Sequence, residues 1–116
     1  NEVAPGCSLL QIAQVIEGLV EKHGFAVVHD LVGHGVGLAV HEDPSIPHYV
    51  CNDYGEQDII LQPGMVIAIE PMVSTGSPEI KLGRDHLSFE TIDGSLSAHF
   101  EHTIAVTATG HQILTI

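Results

Sequence analysis

The first part of the chain places apolar and polar residues with the spacing of a helix. Its apolar positions recur at intervals of three and four residues, at Leu9, Ile12, Ala13, Ile16, Leu19 and Val20. Ser8 followed by Gln11 is the capping-box pattern that begins a helix, and Gly24 is a common stop signal. The pattern predicts an amphipathic helix over residues 9–23.

Beyond this helix the chain changes to short apolar or alternating runs separated by glycine and proline. The runs predict strands at residues 25–30, 59–61, 65–69, 87–91, 99–107 and 112–115. The glycine-rich residues 33–37 predict a turn in which small residues let the backbone bend and approach a ligand closely. One N-terminal helix followed by mostly antiparallel strands predicts an α+β fold and a single domain over residues 1–116. A single helix would leave much of a curved sheet uncovered.

Charge and composition exclude several kinds of partner. Fifteen acidic residues against three basic ones give a formal net charge of -12 at pH 7. Nucleic acid and anionic lipid surfaces are therefore unfavourable partners, whereas divalent cations suit a chain rich in carboxylates and histidines. No apolar run approaches the roughly 18 residues that span a bilayer, and no signal-peptide pattern is present, so we expect a cytoplasmic protein. Cys7 and Cys51 are predicted to be reduced thiols.

Polar side chains stand in places where an apolar residue would be the structural choice. His34 lies between two glycines, Glu70 ends the apolar run 65–69, and Glu101 lies within the strand-like run 99–107. Each has an ordinary alternative: a loop histidine, a strand-end carboxylate in water, and an outward-pointing acid. His41 could likewise simply open a turn.

A buried carboxylate costs several kcal/mol to desolvate unless a positive charge lies beside it. The three basic residues, Lys22, Lys81 and Arg84, are not adjacent in sequence to these positions. A divalent cation is the economical source of that charge. His48, His99 and His102 lie near these segments without a specific signal of their own.

Four segments in order carry a resemblance. They are Gly33-His34-Gly35-Val36-Gly37, His41-Glu42-Asp43-Pro44, Pro63-Gly64-Met65 with Ile69-Glu70-Pro71-Met72-Val73, and Ser97-Ala98-His99-Phe100-Glu101-His102-Thr103. Together they resemble the C-terminal half of type I methionine aminopeptidases, metal-dependent enzymes of the pita-bread fold. X-Pro aminopeptidases and prolidases share the first two segments and are the alternative. The last two segments favour the methionine branch.

The resemblance implies a metal site and a reaction. It implies two divalent ions, of Mn, Fe, Co or Zn, with His34 and Glu70 as ligands of one ion and Glu101 bridging both. Glu70 would also take the proton from the nucleophilic water, while His41 would bind the substrate amide and stabilise the tetrahedral intermediate. On this interpretation His34 and His41 lie at opposite ends of one strand that starts at the glycines.

The resemblance also implies a substrate and an incomplete ligand set. The substrate is the N-terminal methionine of peptides and nascent proteins. Val40 and Leu87 stand where many members of the family have an aromatic residue and a tryptophan that contact the methionine side chain. The family's two aspartate ligands belong to an N-terminal half without a counterpart here. We therefore expect a fragment that is inactive alone and is completed by a missing half or a self-dimer; a peptide-binding module that does not hydrolyse is the other alternative.

Overall fold

The helix begins and ends where its capping residues predict. The computed structural model describes residues 2–51 and 58–115. Helix α1 spans Leu9–Lys22. The Ser8 hydroxyl accepts the backbone N–H of Gln11 at 3.2 Å, and the Gln11 side chain accepts the N–H of Ser8 at 2.8 Å. The predicted capping box is therefore confirmed, and Gly24, with φ of 77°, follows the C-cap His23.

The remaining elements among the described residues are ten short strands, each paired with antiparallel neighbours. Their bounds are β1 Ala26–Val27, β2 Gly33–Gly35, β3 Glu42–Ile46, β4 Val66–Ile69, β5 Met72–Ser74, β6 Ile80–Leu82, β7 Phe89–Thr91, β8 Ser97–His99, β9 His102–Val106 and β10 His111–Ile113. They form a five-stranded sheet in the order β10-β9-β4-β2-β3, a three-stranded sheet in the order β1-β5-β8, and the hairpin β6-β7. The α+β prediction is confirmed.

The two larger sheets share one continuous ladder. Strand β4 pairs with β9 and places Ile69 opposite His102, while β5 pairs with β8 and places Met72 opposite His99. The register is the same on both sides of the short interruption, where the N–H of Phe100 donates to the carbonyl of Pro71 at 3.2 Å. The residues between the two sheets, Glu70 on one side and Glu101 on the other, therefore occupy directly opposite positions of one ladder.

The core lies between the helix and one face of the five-stranded sheet. Leu9, Ile12 and Ala13 of the helix are buried in the same cluster as Ile67 and Ile104 of the sheet. Side chains alternate between the two faces of a strand. Because residue 67 faces the helix, residues 68 and 70 belong to the other face, and the functional candidates lie on that face.

Several predicted strands differ from the observed ones, and the short strands β3, β5 and β6 were not predicted. The run 25–30 is a strand only over Ala26–Val27, because His29 leaves the sheet and its ring stacks on Tyr49 with 4.1 Å between centroids. The run 59–61 forms a single bridge between Ile60 and Ser8, and residues 33–35 are strand β2 instead of a turn. The run 99–107 is divided, so Glu101 lies between two strands and not within one.

The glycines of β2 allow close packing of the neighbouring backbones. A Cβ at Gly33 would collide with the carbonyl oxygen of Ala68 and lie 3.2 Å from the ring of His48. A Cβ at Gly35 would lie 2.8 Å from the carbonyl carbon of Asp43. Strands β3 and β4 can therefore approach β2 only because these two positions lack side chains.

Apolar surface remains exposed on the three-stranded sheet. A cavity of about 240 Å³ there is lined by Phe25, Val73, Leu96 and Phe100 among others, and the side chains of Leu96 and Phe100 are largely exposed. This agrees with the expectation that a single helix leaves much of the sheet surface uncovered. None of the helices within the described part of the chain has the length and apolar character needed to cross a membrane.

Both cysteines are free thiols, as predicted. Cys7 and Cys51 are each half-buried, and neither takes part in a disulfide. Burial, with smaller contributions from the charges of Glu2 and Asp58, raises the pKa of Cys7. A raised pKa lowers the thiolate fraction at neutral pH, which suits a structural thiol.

Candidate metal centre

His34 is held with one ring nitrogen free to bind a cation. Its Nδ1 lies 2.8 Å from the carbonyl oxygen of Gly35. A carbonyl can only accept, so Nδ1 carries the proton and, in the neutral ring, Nε2 carries a lone pair. Nε2 lies 3.1 Å from Oε1 of Glu70. The neutral ring therefore presents a lone pair to a carboxylate oxygen, which is the arrangement of two ligands aimed at a shared cation.

Glu70 needs a positive charge that the basic residues do not supply. Its side chain is only 13 % exposed, and among the described residues Oε1 is buried without a hydrogen-bond partner. Lys81, one of the three basic residues, pairs with Glu90 in the β6-β7 hairpin, with 3.7 Å between Nζ and Oε2. The buried, unpartnered oxygen fits a divalent cation.

Glu101 adds a second negative charge beside Glu70 and so increases the need for a positive charge at this position. The common register of the two sheets places it directly opposite Glu70, and like charges at directly opposite positions of a ladder repel each other. One ligand atom from each of Glu70, His99 and Glu101 lies within 4.8 Å of the other two. A cation between the carboxylates would convert this repulsion into coordination.

His99 was not among the predicted site residues. Its Nε2 lies 3.4 Å from Oε2 of Glu70, so Glu70 has a histidine beside each of its two carboxylate oxygens. The side chain of His99 is 48 % exposed. The sequence carried no signal for this contact beyond the position of His99 two residues before Glu101.

His41 lies beside His34, but not in the way that the spacing suggested. The prediction that the two occupy opposite ends of one strand is wrong, because His34 belongs to β2 and His41 immediately precedes β3. The chain folds back between them, and the two ring centroids lie 4.1 Å apart with a 42° tilt. The Glu42 carboxylate fixes this loop by accepting the N–H of Ala39 at 2.7 Å.

An open groove runs along this edge of the sheet. Its volume is about 700 Å³, and its lining residues are His34, His41, Glu42, Asp43 and Ser45. The groove thus joins the candidate ligand His34 to the candidate substrate-binding residue His41. An open groove lined by polar groups can admit an extended peptide end.

His48 is a second residue that the sequence did not reveal. It is fully buried, and its Nε2 accepts the backbone N–H of Glu70 at 3.2 Å. Burial, followed by repulsion from His99, lowers the pKa of His48 to about 4. The ring is therefore neutral at physiological pH and acts as an acceptor that holds the Glu70 peptide.

Val40 and Leu87, the predicted contacts for a methionine side chain, are both exposed. Val40 is 72 % exposed one residue before His41, and Leu87 is 83 % exposed in the connection between β6 and β7. Their role in side-chain recognition stays a prediction.

Comparison with known proteins agrees with a metal centre. The model of metallopeptidase family M24 matches residues 1–108. The chain therefore belongs to metallopeptidase family M24, a family whose members use divalent metal. Methionine aminopeptidase 1 of Bacillus subtilis is 51 % identical over 115 residues, which are 99 % of this chain and 45 % of that protein. The chain thus spans less than half the length of this relative.

Comparison with solved structures identifies the fold and distinguishes the methionine aminopeptidase branch of the family from the prolidase branch. The structure of methionine aminopeptidase from Thermotoga maritima matches with a TM-score of 0.90 and 46 % identity, over 97 % of this chain and 44 % of that one. The prolidase from Pyrococcus horikoshii matches with a TM-score of 0.68 and 26 % identity, over 99 % of this chain and 26 % of that one. The predicted pita-bread fold is confirmed, and the resemblance to the methionine branch is the stronger one.

Proposed function

We propose that this chain forms part of a cytoplasmic, metal-dependent aminopeptidase that removes the N-terminal methionine from peptides and nascent proteins. The observation that carries the proposal is the 3.1 Å approach of His34 Nε2 to the buried, unpartnered Oε1 of Glu70. The repulsion expected between Glu70 and Glu101 supports it. Two acceptor atoms this close repel each other unless a cation or a proton lies between them.

His34, Glu70 and Glu101 would hold the divalent metal. Imidazole nitrogen and carboxylate oxygen are ligands that Mn, Fe, Co and Zn all accept, so the donor set alone does not select the metal. When bound, such ions polarise a peptide carbonyl and make water a stronger nucleophile at neutral pH.

The remaining steps belong to side chains of this chain. Glu70 would accept the proton that leaves the attacking water on one of its carboxylate oxygens. His41, exposed beside the groove, would donate a hydrogen bond to the substrate carbonyl and stabilise the negative charge that develops on its oxygen. The carboxylates also attract the cationic N-terminus of a peptide, which favours cleavage at that end.

Peptide hydrolysis with defined metals tests this proposal. The chain, and a longer protein that contains it, would be treated with chelator and then given Mn²⁺ or Co²⁺ with peptides that begin Met-Ala. Release of methionine should require metal and should be lost in His34→Ala. Faster cleavage of X-Pro peptides would contradict the methionine branch, and metal binding without any turnover would favour a non-catalytic peptide-binding module.

We also propose that the exposed face of the β1-β5-β8 sheet is covered in the active protein. The relatives are more than twice as long as this chain, and apolar side chains such as Leu96 and Phe100 are exposed there. Further chain or a second copy would cover them and supply the remaining ligands. Light scattering separates the two cases, because only a second copy doubles the mass of the 116-residue chain.

A further inference from the structure

We propose that His99 is a metal ligand, so that this chain alone supplies two nitrogen and two carboxylate donors to its cation site. The inference rests on the proposed metal-dependent function and adds a residue to its ligand set. The four donors are His34, Glu70, His99 and Glu101.

The ladder places His99 on the face of the sheet that carries the other donors. His99 and Glu101 are two residues apart on one strand path, and side chains two residues apart share a face. Glu101 lies opposite Glu70 in the common register. The donor atoms of Glu70, His99 and Glu101 all lie within 4.8 Å of one another, which agrees with this placement.

The distances suit ligands of a common ion. Metal–nitrogen and metal–oxygen bonds of about 2.0–2.2 Å place two donors of one ion roughly 3–3.5 Å apart. The separation from His99 Nε2 to Glu70 Oε2 is 3.4 Å, and that from His34 Nε2 to Glu70 Oε1 is 3.1 Å. The two histidines thus approach Glu70 at different oxygens, His34 at Oε1 and His99 at Oε2, and the donor atom of Glu101 lies close to those of His99 and Glu70.

The competing explanation is a hydrogen bond from His99 to Glu70. His99 is half-exposed, and an imidazole beside a carboxylate at the surface is a common pairing with little effect on its surroundings. The substitution His99→Gln separates the two explanations. Glutamine keeps an N–H that can donate to Glu70 but removes the ring nitrogen that would bind the metal.

His102→Gln is the matched control. His102 begins β9 three residues further along, its side chain is exposed, and its Nδ1 lies 3.0 Å from the hydroxyl of Thr115. The substitution His102→Gln also removes an imidazole ring from this region of the sheet, but from a residue that does not contact Glu70. Circular dichroism on each variant would establish that the fold is retained.

Cobalt binding to the 116-residue chain gives the test. Calorimetry would measure the affinity for Co²⁺, and proton NMR of the Co²⁺-loaded protein would count the paramagnetically shifted imidazole N–H signals. We expect two such signals in the wild type, one in His99→Gln, one in His34→Gln and two in His102→Gln. We also expect His99→Gln to weaken Co²⁺ binding by at least about 10-fold, with His102→Gln unchanged.

The outcomes separate this inference from the proposed function. Unchanged affinity and an unchanged signal count in His99→Gln, with one signal still lost in His34→Gln, would overturn the role of His99 and leave the metal-dependent function standing. No Co²⁺ binding by a folded wild-type chain would overturn the inference that this chain alone supplies four donors, whereas the proposed function would be overturned only if the longer protein also released no methionine with metal.

Discussion

Acidification should destabilise this protein through one buried histidine. His48 is fully buried and its pKa is lowered from 6.5 to about 4. The unfolded chain therefore binds a proton below pH 6.5 that the folded chain does not bind until about pH 4. The stability that His48 contributes is complete above pH 6.5 and is lost as the pH falls from 6.5 to about 4.

The size of the loss follows from these two pKa values. Linkage gives about 2 kcal/mol at pH 5 and about 3 kcal/mol at pH 4. For a domain with a stability of roughly 5–15 kcal/mol, this is a large fraction. The number describes His48 alone, since the other titratable groups contribute their own pH dependence.

The variant His48→Gln isolates the contribution of this one ring. Glutamine presents an acceptor at a similar distance along the side chain, so the N–H of Glu70 keeps a partner, but it does not titrate. Urea unfolding of both proteins from pH 7.5 to pH 4.5, with chelator present, would give the stability difference at each pH. The advantage of the wild type should shrink by about 2 kcal/mol between pH 7.5 and pH 5.

A difference that stays constant over this range would refute the reasoning, because it would mean that His48 protonates as easily in the folded protein as in the unfolded one. The exposed His102 serves as the control, and its replacement by glutamine shows how far loss of any one imidazole changes the measured stability.

Three further predictions test the helix, the site and the sheet. Ser8→Ala removes the capping box and should lower the free energy of unfolding by about 1 kcal/mol in urea denaturation, whereas Ser8→Thr should restore most of it. Glu101→Ala should weaken Mn²⁺ binding at least about 10-fold by calorimetry without unfolding the chain; unaltered affinity would remove Glu101 from the ligand set. Gly35→Ala should destabilise by about 1–3 kcal/mol because its Cβ meets the backbone of Asp43, whereas Gly18→Ala, with open space in the helix, should stabilise by about 0.5–1 kcal/mol.

The sequence predicted those features that depend on local patterns. The capping box fixed the start of the helix to the residue. The apolar run before Glu70 identified a buried strand that ends in a carboxylate, and the structure confirms the strand and the burial. Both are local signals, since each depends on residues only a few positions apart.

Features that depend on chain path were not accessible in the same way. The contact between His34 and His41 depends on a loop closed by the Glu42 carboxylate, and nothing in the spacing of two histidines specifies that closure. His48 and His99 approach Glu70 only because β3, β4 and β8 meet at the junction of two sheets. Histidines are equally common in surface loops, so their identity alone could not reveal the contact.

The common register across the two sheets makes the candidate centre sensitive to chain length. Insertion or deletion of a single residue between β4 and β5, or between β8 and β9, would turn the side chains beyond it to the opposite face of the sheet and separate Glu70 from its counterpart. The 22 residues from 75 to 96, which leave the ladder and return to it through the β6-β7 hairpin, carry no such restriction. Related chains should therefore vary in length within residues 75–96, and should keep the same number of residues between β4 and β5 and between β8 and β9.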